Sequence, residues 1–291
     1  MKKLATPAFN VLDLFDACAS EMDEVARQPF TASRAQIQLA TDAFSAHSAT
    51  QTWCQLPRAR HGHGEDIITG SLSKSHLMNL YDEGVLKSKG RPRDIYDQIL
   101  VAAHGQCPYC AGIGNARTLD HYLPKAKFPT FSVHPHNLVP SCRDCNTDAG
   151  AGFPTSPEFQ PIHPYLDKDC FFLERWVHAE VIRCEPVVLR FFAAPPVHWS
   201  DIDQQRAKKH FVDCKLTDRF SSQVAGELSP LILQRKSSLA VFSTAEFRAH
   251  LRIVANDESL LLNGWKRTMY FALCESDWFC STDFNGAWLT G

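Results

Sequence analysis

Apolar residues recur at helical spacing through the first hundred positions. Val11, Leu12, Phe15, Cys18, Met22 and Val25 predict a helix over 11–27, with Pro29 just beyond its end. Ser33 is placed to cap a second helix over 33–53, and 75–86 predicts a third. Between them, 57–70 reads as a loop around His61 and His63, two histidines expected to be exposed. A basic run from Lys87 to Arg93 precedes an apolar helix over 94–104. From 106 to 152 the pattern changes to short, turn-rich segments bearing cysteines, and Pro154, Pro157, Pro161 and Pro164 mark an extended connection beyond them. Alternation over 177–184 and 187–192 predicts a hairpin with Glu185-Pro186 in its turn, and helices follow over 201–214, 218–239, 244–255 and 265–274. The pattern predicts an α+β protein in three parts: a helical region over 1–104, a small metal-bound module over 105–167, and a hairpin with helices over 168–291.

Composition narrows the classes. The chain has 291 residues, 44% hydrophobic and 21% charged, as expected of a globular protein with ample core. A net charge of −2 excludes a polybasic coat, so any nucleic-acid contact must come from a local patch. Pro7, Asn10, Asp13 and Asp16 interrupt the apolar run that a leader after Lys2-Lys3 would need, and no uninterrupted apolar stretch is long enough to span a membrane. A cytoplasmic, reducing setting is expected, where paired cysteines bind metal more often than they form disulfides.

Of the 11 cysteines, Cys18, Cys54, Cys170, Cys184, Cys214, Cys274 and Cys280 lack ligand spacing and read as buried small hydrophobes. The other four form two knuckles, Cys107-Pro-Tyr-Cys110 and Cys142-Arg-Asp-Cys145, separated by 31 residues. Two thiolates from each of two tight turns complete a tetrahedral set that selects Zn2+ and leaves no open position. Such a zinc is structural, closing a segment too small for its own core; the alternative is a redox pair.

Inside this clasp lie Thr118-Leu-Asp120-His121-Tyr-Leu-Pro-Lys125, then Asn137-Leu-Val-Pro, then Asn146 directly after the second knuckle. This order resembles the HNH endonuclease family with its ββα-metal motif. The helix carrying Asp94-Ile-Tyr-Asp97 and the stretch Ile162-His-Pro-Tyr-Leu-Asp167 look similar to stand-alone bacterial HNH proteins. The resemblance implies a ββα-metal module with a four-cysteine zinc site, embedded in a mainly α-helical protein. It implies Asp120 and Asn146 on a catalytic ion, His121 as general base, and Asn137 holding the catalytic loop without touching the ion. It further implies work with an ATPase partner in bacterial phage defence. Many family members carry His where this chain has Asn146, which bears on the identity of the ion.

The residue types support the same chemistry directly. Phosphodiester hydrolysis needs an activated water, neutralisation of transition-state charge and a stabilised leaving oxygen. Asp120 and Asn146 offer hard oxygens suited to Mg2+ or Mn2+, and His121 can take a proton near neutral pH. Being adjacent on a strand, Asp120 and His121 require it to bend if both are to address one phosphate. Each has a plainer reading: His121 as a surface histidine, Asn137 as a turn residue, Asn146 as a helix N-cap. His134 and His136 are either further ligands or simple loop residues, and His163 reads as structural. Seven Lys/Arg against three Asp over 87–127 give a local charge of +4, with Lys125 and Lys127 as candidate phosphate contacts. The readings carried forward are a DNA endonuclease, an RNA (for example tRNA) endonuclease with the same site, and a non-catalytic zinc module binding nucleic acid or protein.

Overall fold

The computed structural model describes residues 1–285 and shows an α+β chain. It divides into two compact units: one comprises Lys3–Tyr109 and Gly114–Asp167, the other the chain from Lys168 onward with Met1–Lys2 and Cys110–Ile113.

The first unit begins with α1 (Asp13–Ser20) and α2 (Glu24–Thr50). The single helix expected over 11–27 is thus broken. Asp23 takes an extended conformation and accepts a hydrogen bond from the Ala26 N–H at 2.9 Å, which restarts the chain as α2. Pro29 lies inside α2 as its sixth residue, past the first turn, and the helix continues through it at the loss of one backbone hydrogen bond. Ser33 is therefore mid-helix and buried, and its hydroxyl accepts from the Ser71 N–H at 3.0 Å instead of capping a helix.

The expected loop contains a small hairpin, β1 (Ile67–Thr69) and β2 (Leu72–Ser73). Buried Lys74 donates to the carbonyls of Arg60 and Gly62, which gives that loop its shape, while His61 and His63 are exposed. Ser73 and His76 form a reciprocal capping box that starts α3 (Lys74–Asp82), and α4 (Arg91–Val101) follows.

Strands β3 (Thr118–His121) and β4 (Leu138–Ser141) pair antiparallel, with Leu119 opposite Pro140 and Asp120 opposite Val139. Helix α5 (Arg143–Ala149) leaves directly from β4, so the segment runs strand, strand, helix. Its core is continuous with that of the helices: Leu119, Val133 and Leu138 cluster with Phe15, Ile37, Leu77, Tyr81 and Ile99. Burying the strands against helices contributed by the first hundred residues supplies the apolar area that so short a segment lacks alone.

The second unit holds α6 (Cys170–Leu173), the hairpin β5 (Val177–Ile182) and β6 (Val188–Ala193), then α7 (Asp201–Asp213), α8 (Leu216–Lys236), α9 (Thr244–Ala255), α10 (Trp265–Glu275) and α11 (Asp277–Ser281). The hairpin is in register from Val177–Ala193 to Ile182–Val188, and the Glu185–Pro186 bond in its turn is cis. Asn263 is buried here, accepting from the Trp176 and Val177 N–H groups and donating to the Glu174 carbonyl. Of the seven unmatched cysteines, Cys170 and Cys184 are only half-buried, because they lie at the start of short α6 and in the hairpin turn. No helix among the described residues is long and apolar enough to cross a membrane.

Candidate functional site

The four knuckle cysteines are brought together. The Sγ atoms of Cys107, Cys110, Cys142 and Cys145 all lie within 4.8 Å of one another, and all four residues are buried. The first knuckle is a tight turn: Gln106 bridges Asn115, the Cys107 N–H donates to the Gly114 carbonyl at 2.9 Å, and Gly112 at φ +83° accepts a conformation that a side chain would resist. The second knuckle starts a helix. Cys142 is extended and its sulfur accepts from the Cys145 N–H at 3.5 Å, so it serves as the N-cap of α5. Four buried sulfurs this close can hold a metal ion such as zinc, whose bonds to thiolates run about 2.3 Å.

Because Cys142 is the cap, Asn146 is the fourth residue of α5 and not its N-cap. It is half-buried, and its side-chain amide has no hydrogen-bond partner among the described residues. The capping alternative is thereby removed.

Strand β3 carries Asp120 and His121, and two tyrosines hold it. The Leu119 N–H donates to the Tyr96 hydroxyl at 3.1 Å, and the Tyr81 hydroxyl donates to the Leu119 carbonyl, also at 3.1 Å. These outward backbone groups lie on the edge that β4 does not pair, where they would otherwise be left without partners. Pro140, opposite Leu119, is tolerated because it also sits in an edge strand.

Asp120 has no ion-pair partner among the described residues; its Oδ1 accepts from the His121 N–H at 2.8 Å. Exclusion of water pushes its carboxyl up to about 7, against the opposing effect of that hydrogen bond. A carboxylate withdrawn from water with no neutralising cation beside it is a group that a hard divalent ion would satisfy.

The His121 Nε2 lies 2.8 Å from the Ser132 carbonyl, so Nε2 carries the proton and Nδ1 keeps its lone pair. Exclusion of water lowers its pKa to about 4; the Ser132 carbonyl opposes this, and Lys125 adds to it. The ring meets Tyr81 edge-on with centroids 4.4 Å apart. His121 is therefore neutral at cellular pH, with a basic nitrogen uncommitted.

Asn137 is fully buried and clamps the loop between β3 and β4. Its Oδ1 accepts from the Leu123 N–H at 2.7 Å, and its Nδ2 donates to the carbonyls of Leu123 (3.1 Å) and Phe131 (2.9 Å). Its own carbonyl accepts from Tyr122, extending the strand pairing by a residue. This is a structural lock, with no amide atom left for a ligand. Replacing Asn137 with Ala is expected to cost about 2–6 kcal/mol, since the Leu123 N–H and carbonyl lose their partner at roughly 1–3 kcal/mol each, while the Phe131 carbonyl keeps the His134 N–H. Urea unfolding of the metal-loaded protein measures it, and a cost below about 1 kcal/mol, the net worth of a single bond, would show the loop is held elsewhere.

The neighbouring histidines are held by their own surroundings, with the His134 Nε2 buried and without a hydrogen-bond partner among the described residues. His134 is buried between Phe44 and Phe131, its Nδ1 accepts from the His136 N–H, and burial lowers its pKa to about 3. The His136 Nε2 meets the Pro7 carbonyl at 3.3 Å. His163 is buried against Tyr122 and Trp53, as a structural residue should be.

The basic patch is smaller than the 87–127 window suggested. Lys125 pairs with Asp82 and lies 5.1 Å from the Tyr81 ring centroid, Lys87 pairs with Glu83, and Arg93 pairs with Asp97. Asp82 and Glu83 stand just before the window, so their charges were not counted in it. Lys127 has no ion pair among the described residues. Sequence reasoning missed Tyr81, Asp82, Tyr96 and Ser132; helical periodicity marks Tyr81 and Tyr96 as buried but says nothing of which strand they meet.

No protein-family profile matches the chain. No solved structure matches it either. Among curated proteins, protein ea31 of Escherichia phage lambda is 34% identical over 294 residues, spanning 96% of this chain and 99% of that protein. A likeness of that extent reaches both units, and the chain belongs to the family of protein ea31.

Proposed function

We propose that this protein is a metal-dependent endonuclease of the HNH type that hydrolyses phosphodiester bonds in DNA. The observation that carries the proposal is the state of His121. Its Nε2 is committed to the Ser132 carbonyl, and its Nδ1 is a free base at neutral pH, next to a carboxylate that lacks a cation. A histidine kept neutral and held in one tautomer is suited to take a proton from water. Asp120 and Asn146 would hold Mg2+ or Mn2+, which would neutralise phosphate charge and stabilise the leaving oxygen. The four-cysteine set would hold Zn2+ and keep α5 against the hairpin. Asn137 keeps the loop that carries Ser132 in one shape, and Lys127 on that loop would meet phosphate. The family resemblance extends the proposal to an effector that works with an ATPase partner in phage defence; the curated relative itself comes from a phage.

Incubation with supercoiled plasmid and with total RNA, in Mg2+, Mn2+ or EDTA, tests the activity. Nicked or linear plasmid with either ion, and none in EDTA, is expected. Cutting of RNA alone would move the substrate to RNA, and no cutting of either by zinc-loaded protein would leave a binding module.

The pH dependence is specific. Proton and metal compete for the Asp120 carboxylate, so at limiting Mg2+ cleavage should rise with pH through about 7, and saturating Mg2+ should move that rise to lower pH. His121 adds no acid limb until about 4. A limb near the ordinary histidine value that ignores Mg2+ would contradict this picture. Stability follows the same sign. The raised Asp120 pKa contributes stability that is present at low pH and lost as pH rises through about 7. The lowered His121 pKa acts oppositely between about 4 and 6.5. Zinc-loaded protein without Mg2+ should therefore lose stability mainly above that window, where added Mg2+ protects most.

A further inference from the structure

Helix α3 lies outside the strand–strand–helix segment, yet one turn of it touches His121 by two routes. Leu77 and Tyr81 are four residues apart and so stand on the same face. The Leu77 carbonyl accepts from the Ser132 hydroxyl, and the Ser132 carbonyl is the group that receives the His121 Nε2 proton. Tyr81 presents its ring to the imidazole at 4.4 Å with planes at 73°, and its hydroxyl holds the Leu119 carbonyl two residues before His121. Ring plane, tautomer and backbone of the histidine are thus all referred to the same helical turn. The helix itself is fixed at its start by the Ser73–His76 capping box and along its length by buried Leu77 and Leu80.

We propose that α3 is the positioning element for the proton acceptor, with Tyr81 as the positioning residue that sets the His121 ring and Ser132 as the link that sets its tautomer. The arrangement aims Nδ1 by contacts on the other atoms of the ring, so Tyr81 acts through His121 and touches no substrate. A group held in this way loses rate steeply when it shifts; a misplacement of about 1 Å is worth on the order of 10²-fold. The kinetic half of this inference rests on the nuclease reading, and the orientation of His121 does not.

Tyr81→Ala, Tyr81→Phe and Ser132→Ala, made in the full chain and checked for zinc content, test it by two readouts. For Tyr81→Ala, kcat is expected to fall by about 30-fold or more with KM within about twofold, because an interaction that orients chemistry is lost while substrate binding is not. Tyr81→Phe keeps the ring and should stay within about fivefold of wild type, and Ser132→Ala should lower kcat by about five- to tenfold, the worth of one hydrogen bond. Imidazole 15N shifts should show His121 protonated on Nε2 in wild type and Tyr81→Phe, and a mixture of tautomers in Tyr81→Ala and Ser132→Ala. Wild-type kcat and wild-type nitrogen shifts in both Tyr81→Ala and Ser132→Ala would overturn the proposal, as would a rise in KM with kcat unchanged. If Tyr81→Ala does not fold, Ser132→Ala decides, since it removes a single hydroxyl. If the wild-type protein cuts no nucleic acid, the nuclease reading fails on its own, and the nitrogen shifts still judge the positioning of His121.

Discussion

Replacing His121 with Ala is expected to slow cleavage by about 10²–10⁴-fold, the range set by loss of a positioned general base. The size follows from how little else nearby could take its place. His134 is buried with its Nδ1 engaged, and the His136 imidazole reaches back to the Pro7 carbonyl. Folding should survive the change. The variant leaves the Ser132 carbonyl without its imidazole partner, a cost of about 1–2 kcal/mol that a domain of this size tolerates. The zinc content should match wild type, because none of the four sulfurs touches the substitution. Imidazole added to the buffer should restore part of the rate, entering the space beside Tyr81 that the side chain vacates. Cleavage at the wild-type rate by this variant would remove the mechanism, whatever the metal content.

The cysteine cluster and the loop lock were legible in the sequence for a physical reason. Cys107 to Asn146 is a short segment whose clustered sulfurs and buried asparagine are set by local turns, and local spacing is what a sequence displays directly. Asn137 is the clearest case. Its expected role as a loop lock corresponds to three hydrogen bonds to residues within 14 positions of it. The helices were legible where an apolar stripe and a cap agreed, as in α9, which begins with the Ser243–Glu246 capping box and ends at Ala255. They were misread where a strong local signal met a tertiary one. Pro29 suggested an end, yet α2 runs on through it to Thr50. Ser33 suggested a cap, yet its hydroxyl is used by Ser71, 38 residues away.

What the sequence could not show is the work of α3. Tyr81 and His121 are 40 positions apart, and periodicity assigns Tyr81 only to the buried side of a helix. Asp82 was invisible for the same reason: its charge belongs to a helix end in the sequence and to Lys125 in space. The consequence is chemical as well as structural. A lysine counted as available for phosphate is already neutralised, which leaves Lys127 as the uncommitted cation on that loop and makes the site less generally adhesive to nucleic acid than its sequence charge implies.

Replacing Cys142 with Ser should have the largest effect on the fold of this segment. Cys142 is one of four sulfurs clustered within 4.8 Å, and it is also the N-cap on which α5 starts. Serine can still cap a helix, so the substitution isolates the ligand role. A hydroxyl is a poor partner for zinc in a thiolate set, and the ion should be lost. Structural zinc contributes roughly 10–16 kcal/mol to domains of this kind, as much as the whole stability of a typical domain at about 5–15 kcal/mol. The turn at Cys107–Cys110 and the start of α5 would then have nothing to hold them together, and Asn146 would no longer be presented on an ordered helix. Metal analysis should read about one zinc per wild-type chain and none in the variant, the count a closed four-thiolate site implies. Backbone amides over 107–149 should lose protection from hydrogen exchange, and a chelator acting on the wild type should reproduce both results. Cys18→Ser is the control, since Cys18 is equally buried but meets only the Leu80 carbonyl; it should keep the ion at a modest packing cost. Retention of zinc and of wild-type exchange by Cys142→Ser would show that the four sulfurs are a packing cluster, and the ordering of Asn146 would then need another cause.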